Sequence, residues 1–188
     1  MTWIETAAEG RILETGHFAL WLMPAGTARA RLAQLIRELS HEWSGPRFDP
    51  HVTLLAGISG RRKEILRSCE QFAALQRPFE IQLTEAGFLD DTYRALFLHV
   101  APSPALTDAM ARARKIFHHR GDPAHFPHLS LLYGHYPPGI KQRIIEQKGR
   151  NLDLKFSVER VFWVDIAGEP QDWTCVRDFP FRKAPRDG

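Results

Sequence analysis

Two short segments carry the residue types that could do chemistry: Pro50-His51-Val52-Thr53-Leu54-Leu55 and Pro127-His128-Leu129-Ser130-Leu131-Leu132-Tyr133. Each reads proline, histidine, aliphatic, hydroxyl, leucine, leucine. An apolar run opened by a proline predicts a strand, because a proline at the mouth of a strand removes no ladder hydrogen bond. Side chains along a strand alternate between faces. His51 and Thr53 therefore share one face, His128 and Ser130 do likewise, and the aliphatic residues take the other. Imidazole titrates near neutrality, so one ring can accept a proton from water while another gives one to a leaving oxygen. A hydroxyl two positions along can donate to a non-bridging phosphate oxygen. Two such pairs on opposite sides of a phosphorus are what in-line cleavage of a phosphodiester requires, and that chemistry asks for no metal.

The contexts of the two segments match as well, with Pro46-Arg47-Phe48 before the first and Pro123-Ala124-His125-Phe126 before the second. We read them as an internal duplication whose strands meet. The elements that must position them follow from local pattern. Phe18 to Met23 predicts an apolar strand stopped by Pro24. Thr27 caps a helix through Leu32, Leu35, Ile36 and Leu39, ended by Gly45-Pro46. A second helix is predicted from Arg61 to Leu75, a strand at Phe79–Leu83 and another from Tyr93 to Val100 after a turn at Asp90-Asp91. Pro104 opens a helix closing near Gly121, and Ile140 to Lys148 forms a short one. Two last strands are expected, from Phe156 through Ile166 and from Trp173 to Val176. Each histidine strand returns after a helix, as in a βαβ crossover or a split form of it. The expected fold is α+β, with two pseudo-symmetric lobes, each an antiparallel-rich sheet with flanking helices, and an active-site cleft between them. One domain spans 1–188, with 1–16 as a loosely ordered lead-in.

Composition narrows the function classes. The 188 residues carry a net charge of +3 with no Lys/Arg block, which suits an anionic substrate but not a long nucleic-acid footprint. Cys69 and Cys175 stand far apart and form no Cys-x-x-Cys pair, so reduced cysteines and a cytoplasmic location are expected. Glu5 and Glu9 interrupt the N-terminus, so no secretory signal is read, and no apolar run approaches the roughly 20 residues of a membrane span. His118, His119, His125 and His128 lack a carboxylate at ligand spacing, so no metal and no cofactor are expected. Trp21, Trp163 and Trp173 read as core. Arg47 and Arg94 are candidates to meet a second phosphate.

Paired His-x-(Thr/Ser) strands about half a chain apart resemble the two-histidine phosphoesterase superfamily. Pro24 after an aromatic-rich strand, Gly45-Pro46-Arg47-Phe48-x-Pro50-His51-Val52-Thr53, and Pro127 through Gly134 resemble its plant and fungal type of cyclic phosphodiesterase. The resemblance covers Phe18 to Val176. It implies hydrolysis of a cyclic phosphate on ribose, either a nucleoside 2′,3′-cyclic phosphate to its 2′-phosphate or ADP-ribose 1″,2″-cyclic phosphate. It also implies a catalytic tetrad of His51, Thr53, His128 and Ser130, with Tyr133 and Tyr93 as substrate-binding aromatics. The expected partner is a small cyclic phosphate or nucleotide bound by a monomer, with no membrane. The alternatives are a 2′-5′ RNA ligase or RNA end-processing esterase of the same superfamily, and a nucleotide-binding module without turnover. The two motifs are equivalent in chemistry; Tyr133 beside the second leans the base assignment to His128 and the acid to His51.

Overall fold

The computed structural model describes residues 17–121, 125–148 and 151–182; the expected lead-in lies outside them. In chain order the elements are β1 (Phe18–Leu22), α1 (Gly26–Glu42), β2 (Val52–Ile58), α2 (Arg62–Leu75), β3 (Phe79–Gly87), β4 (Leu96–Val100), α3 (Pro104–Ile116), β5 (His128–Leu132), α4 (Pro138–Lys148), β6 (Asn151–Val158), β7 (Arg160–Asp165) and β8 (Thr174–Pro180). The α+β class is as expected. The strands form one sheet in the order β6-β3-β4-β5-β2-β1-β7-β8, with every neighbouring pair antiparallel.

The duplication is visible in this order. Each half repeats a strand, a helix and a histidine strand: β1-α1-β2 in one and β4-α3-β5 in the other. The two histidine strands lie innermost and join the halves, with Val52 opposite Leu129 as the one register pair across the seam. The lobes are thus halves of a single sheet that is barely zipped at its centre.

A parallel crossover does not form, and chain lengths show why. Leu22 at the end of β1 pairs with Val52 at the start of β2, so the whole excursion between them leaves and returns at one point. The 17 residues of α1 carry the chain about 25 Å away. Residues 43–51 then bring it back, an extended reach of up to about 30 Å. The return is stapled to its helix by the Ser40 hydroxyl donating to the Pro46 carbonyl at 2.8 Å and by an Arg29–Asp49 ion pair at 3.0 Å. Gly45 is needed where this segment crosses β5, because a Cβ there would come within 2.9 Å of Leu132 Cδ1.

Strand alternation separates a helix-covered face from a working face. Phe18, Leu20, Leu22, Val52, Leu54, Leu129 and Leu131 all join the main core with the buried faces of the four helices, such as Leu32, Ile36 and Leu39 on α1. Ala19 and Trp21 instead join a small second cluster with Val164. β1 reads as uninterrupted apolar sequence because both of its faces are buried.

Local readings fail at five places. α1 is entered from Ala25 with no side-chain cap, so Thr27 lies within the helix instead of capping it. Tyr93 lies in a 3-10 turn, Thr92–Arg94, and the strand begins only at Leu96. α3 ends at Ile116, and His118 follows with a φ of 49°. Three C-terminal strands form where two were expected, since Glu159 separates β6 from β7. Trp173 precedes β8 instead of opening it. Among the described residues no helix is long and apolar enough to cross a membrane.

Candidate active site

His51 precedes β2 by one residue and His128 opens β5, so the central seam brings both rings to one cavity on the working face. Each ring is oriented in the same way. Nδ1 of His51 lies 2.7 Å from the carbonyl oxygen of Asp49, and Nδ1 of His128 lies 2.8 Å from that of Phe126. In both cases the partner is the carbonyl two residues upstream. A carbonyl oxygen only accepts, so Nδ1 carries the hydrogen in each ring and Nε2 is left for other business. Sequence reading could not supply this detail, although the proline between histidine and carbonyl, Pro50 or Pro127, stiffens both segments in the same way.

The surroundings of the rings differ. Trp21, opposite Thr53 in the β1–β2 register, stacks on His51 with centroids 3.6 Å apart and planes 8° from parallel. His51 is 5% exposed. Burial pushes its pKa down from 6.5 to about 4, against the raising pull of the Asp49 carbonyl and with a smaller downward push from His128. That shift corresponds to roughly 3 kcal/mol against protonation. His128 is half buried between Phe97 and Phe126, with centroids at 5.4 and 5.1 Å. Its pKa is also lowered, chiefly by burial, then by His125 and Arg94, while the Phe126 carbonyl and Asp91 hold it up. Each imidazole thus stands where a second positive charge is unwelcome.

The hydroxyls differ too. Ser130 donates to the carbonyl of Tyr93 at 2.8 Å, whereas the Thr53 hydroxyl has no protein partner among the described residues. Thr53 therefore offers a free donor to a ligand, while Ser130 ties down the turn that carries Tyr93. The same turn is held by the Gly134 N–H donating to the Thr92 carbonyl, by Thr92 paired with His135, and by the buried Lys141 donating to the Leu89 carbonyl, each at 2.8 Å. Asp91 accepts from the Tyr93 N–H and pairs with Arg94 at 2.9 Å, which lowers the Asp91 pKa.

All six expected site residues, His51, Thr53, His128, Ser130, Tyr133 and Tyr93, line one cavity of about 340 Å³. That volume suits a single nucleotide-sized ligand. Tyr133 is 3% exposed, and burial raises its phenol above the ordinary range against a hydrogen bond with Ser130. Tyr93 stands at the lip, 51% exposed and edge-on to Tyr133 at 5.4 Å. Two residues read from sequence as core, Trp21 in the small second cluster and Trp173 packed against it, also line this cavity. Trp21 backs His51, and Trp173 closes the wall at 5.7 Å from Trp21, 5.9 Å from Tyr133 and 6.0 Å from Tyr93. Trp163 alone stays in the main core. Site-face alternation on β1 would have pointed to Trp21 once β1 was known to pair with β2; no local signal marks Trp173. Asp91, Arg94 and His125 complete the polar lining. Among the described residues no group of three or more His, Cys, Asp or Glu stands where it could hold a metal ion.

Residues 24–170 match the model of the 2′-5′ RNA ligase superfamily. The chain belongs to that superfamily. A cyclic phosphodiesterase of Arabidopsis thaliana is 26% identical over 153 residues, covering 77% of this chain and 82% of its own length. Among solved structures, TT0787 of Thermus thermophilus superposes with a TM-score of 0.63 at 20% identity, over 88% of this chain and 98% of its own. E. coli LigT complexed with 3′-AMP gives 0.60 at 15% identity, over 89% and 99%; LigT complexed with NADP+ gives 0.61 at 14%, over 89% and 98%. These likenesses establish the shared fold of the superfamily member described here.

Proposed function

We propose that this superfamily member is a phosphodiesterase that opens a cyclic phosphodiester on ribose by paired histidine acid–base catalysis, without a metal. The observation that carries the reading is the matched pair of imidazoles, each with Nδ1–H pinned to a carbonyl and Nε2 free, sharing one cavity with a hydroxyl two residues on. Superfamily membership and the cyclic phosphodiesterase relative support the reaction class. Related structures hold 3′-AMP, ATP and NADP+, which supports a nucleotide as ligand. The substrate class then follows the resemblance: a nucleoside 2′,3′-cyclic phosphate giving the 2′-phosphate, or ADP-ribose 1″,2″-cyclic phosphate.

In this reading His51, Thr53 and His128 act on the phosphate, and Ser130, the fourth member of the expected tetrad, holds the Tyr93 turn against the site. Sequence alone leaned to His128 as base, but burial favours the reverse. A ring held to about 4 is neutral at physiological pH and its Nε2 lone pair is available, so His51 takes the proton of water. His128, less buried, keeps its proton more readily than His51 and gives it to the leaving oxygen. Mutual repulsion disfavours protonation of both rings at once, so between the two pKa values one acts as acid and the other as base. Thr53 donates to a non-bridging oxygen, and the aromatic wall of Trp21, Tyr93, Tyr133 and Trp173 packs the ribose or base.

The sign of the pH dependence follows. The active free enzyme has His51 neutral and His128 protonated, so kcat/KM rises through about 4 and falls once His128 deprotonates below its ordinary 6.5. We expect a bell with its maximum between these values and a decline of about tenfold per pH unit on the alkaline side. A bound phosphate anion favours the imidazolium, so the alkaline limb of kcat should lie higher than that of kcat/KM. A kcat/KM that stays flat from about pH 5 to about pH 9 would contradict the acid–base pair.

The direct test is incubation with adenosine 2′,3′-cyclic phosphate and with ADP-ribose 1″,2″-cyclic phosphate, with and without EDTA, resolving 2′- from 3′-phosphate products. Turnover of either substrate, unchanged by EDTA, is expected. Loss on chelation that zinc or manganese restores would overturn the metal-independent mechanism.

A further inference from the structure

In-line attack builds negative charge on two non-bridging oxygens of the phosphorus, and a donor aimed at each stabilises it. The paired motifs offer two hydroxyls, but the fold leaves only that of Thr53 unengaged. The Ser130 hydroxyl carries a single proton, and that proton goes to the Tyr93 carbonyl at 2.8 Å. A carbonyl cannot donate. The hydrogen bond between Ser130 and Tyr133 therefore runs from the phenol to the serine oxygen. Ser130, 4% exposed, is thus the middle of a chain from phenol to hydroxyl to carbonyl. It has no proton left for a phosphate.

The residue that follows the captured carbonyl is Arg94. Bond lengths across one peptide bring its Cα within about 7 Å of the Ser130 oxygen. The guanidinium lines the same cavity and stands 5.8 Å from the ring of Phe126, which itself flanks His128 at 5.1 Å. Its charge is felt at His128, whose pKa it helps to lower. The Arg94 backbone is fixed at both ends. Its N–H donates to the Asp91 carbonyl at 3.2 Å, and its carbonyl accepts from the Leu89 N–H at 2.9 Å. Among the described residues its one side-chain hydrogen bond goes from Nη2 to Asp91 at 2.9 Å. The other N–H groups of the fork, whose planar shape matches phosphate oxygens, remain for a ligand.

We propose that Arg94 is the second phosphate donor of the catalytic site, holding one non-bridging oxygen of the reacting phosphate while Thr53 holds the other. The inference rests on the cyclic phosphodiesterase reading and deepens it by naming a catalytic residue outside the two motifs. Ser130 serves by fixing the peptide from which Arg94 reaches in. The two motif hydroxyls, alike in sequence, then do different work.

Sulfur accepts hydrogen bonds poorly, so the two diastereomers of adenosine 2′,3′-cyclic phosphorothioate report on the two oxygens separately. Arg94→Ala should lower kcat/KM on adenosine 2′,3′-cyclic phosphate by about 10²-fold, the scale of one transition-state donor. Arg94→Lys should recover part of that loss. The loss should persist in Asp91→Asn/Arg94→Ala, where no unpaired carboxylate faces the phosphate. In Arg94→Ala the penalty for sulfur should vanish in one diastereomer and stay as in wild type in the other. Thr53→Ala should show the reverse. A variant that merely loosens the turn slows both diastereomers and keeps their ratio, which is the result expected of Ser130→Ala. An unchanged ratio in Arg94→Ala, or a ratio altered by Ser130→Ala in its place, would overturn the proposal. Failure of the wild type to hydrolyse any cyclic phosphate would sink the phosphodiesterase reading, and titration calorimetry then judges Arg94 by itself. Adenosine 2′-phosphate should bind at least about tenfold more tightly than adenosine, and Arg94→Ala should abolish that advantage. An advantage that survives the substitution would remove Arg94 from the phosphate site whatever the turnover.

Discussion

Replacing either His51 or His128 by alanine should lower kcat by at least about 10²-fold, the usual scale for loss of a general acid or base. Both rings stand in the same cavity with Nε2 free and Nδ1 committed to a carbonyl, so alanine removes the proton-transfer atom from each half of the site. The two substitutions differ in what they do to the fold. His51 is buried beneath Trp21, and its loss leaves a void under the indole and an unpaired Asp49 carbonyl. His51→Asn keeps an N–H that can reach that carbonyl and removes Nε2, so it serves as the folding-safe partner. Circular dichroism and melting temperature should be close to wild type for His51→Asn and for His128→Ala. The double variant should be little worse than either single one, because acid and base act in one step and their losses do not add. Turnover within a few-fold of wild type in a folded His51→Asn or His128→Ala protein would remove that histidine from the mechanism.

The second expected result separates the two roles. A p-nitrophenyl phosphodiester has a leaving group that departs without a proton, so an enzyme lacking only its general acid should recover activity on it. With His128 as acid, the defect of His128→Ala should shrink from at least about 10²-fold on a cyclic nucleotide to within about tenfold on the activated diester. His51→Asn should stay crippled on both, since water still needs a base. This asymmetry rests on burial. His51 lies under Trp21 with its pKa lowered to about 4 by burial, while His128 is only half buried, so the proton resides more readily on the second ring. Rescue of His51→Asn in place of His128→Ala would restore the assignment that Tyr133 alone suggested. Equal rescue of both would show that neither ring acts solely as acid or base.

Much of the working face was legible in the chain itself. The alternation of His51 with Val52, and of His128 with Leu129, is a local property of an extended backbone, so it assigns faces without knowledge of the sheet. The duplicated prolines, histidines and hydroxyls are likewise readable, because repetition in sequence predicts repetition in space. Helix starts at Gly26, Arg62, Pro104 and Pro138 fell close to their expected positions for the same local reason.

What the sequence could not decide are relations between residues far apart in the chain. Whether β1 and β2 run parallel depends on how far α1 travels and whether residues 43–51 can bring the chain back, which is a balance of lengths in space. Tyr93 stands next to a strand in sequence, yet Asp91 and Ser130 capture its backbone, and Gly134 that of Thr92, in a turn. Trp21 and Trp173 have the hydropathy of core residues. They become walls of the site only because β1, β7 and β8 close against the histidine strands, leaving their rings on the face without helices. The unequal burial of two imidazoles from near-identical motifs has the same origin. Sequence set both rings on one face through the period of the strand; the tertiary fold laid an indole over one of them and left the other half open, and that difference in desolvation separates their proton affinities.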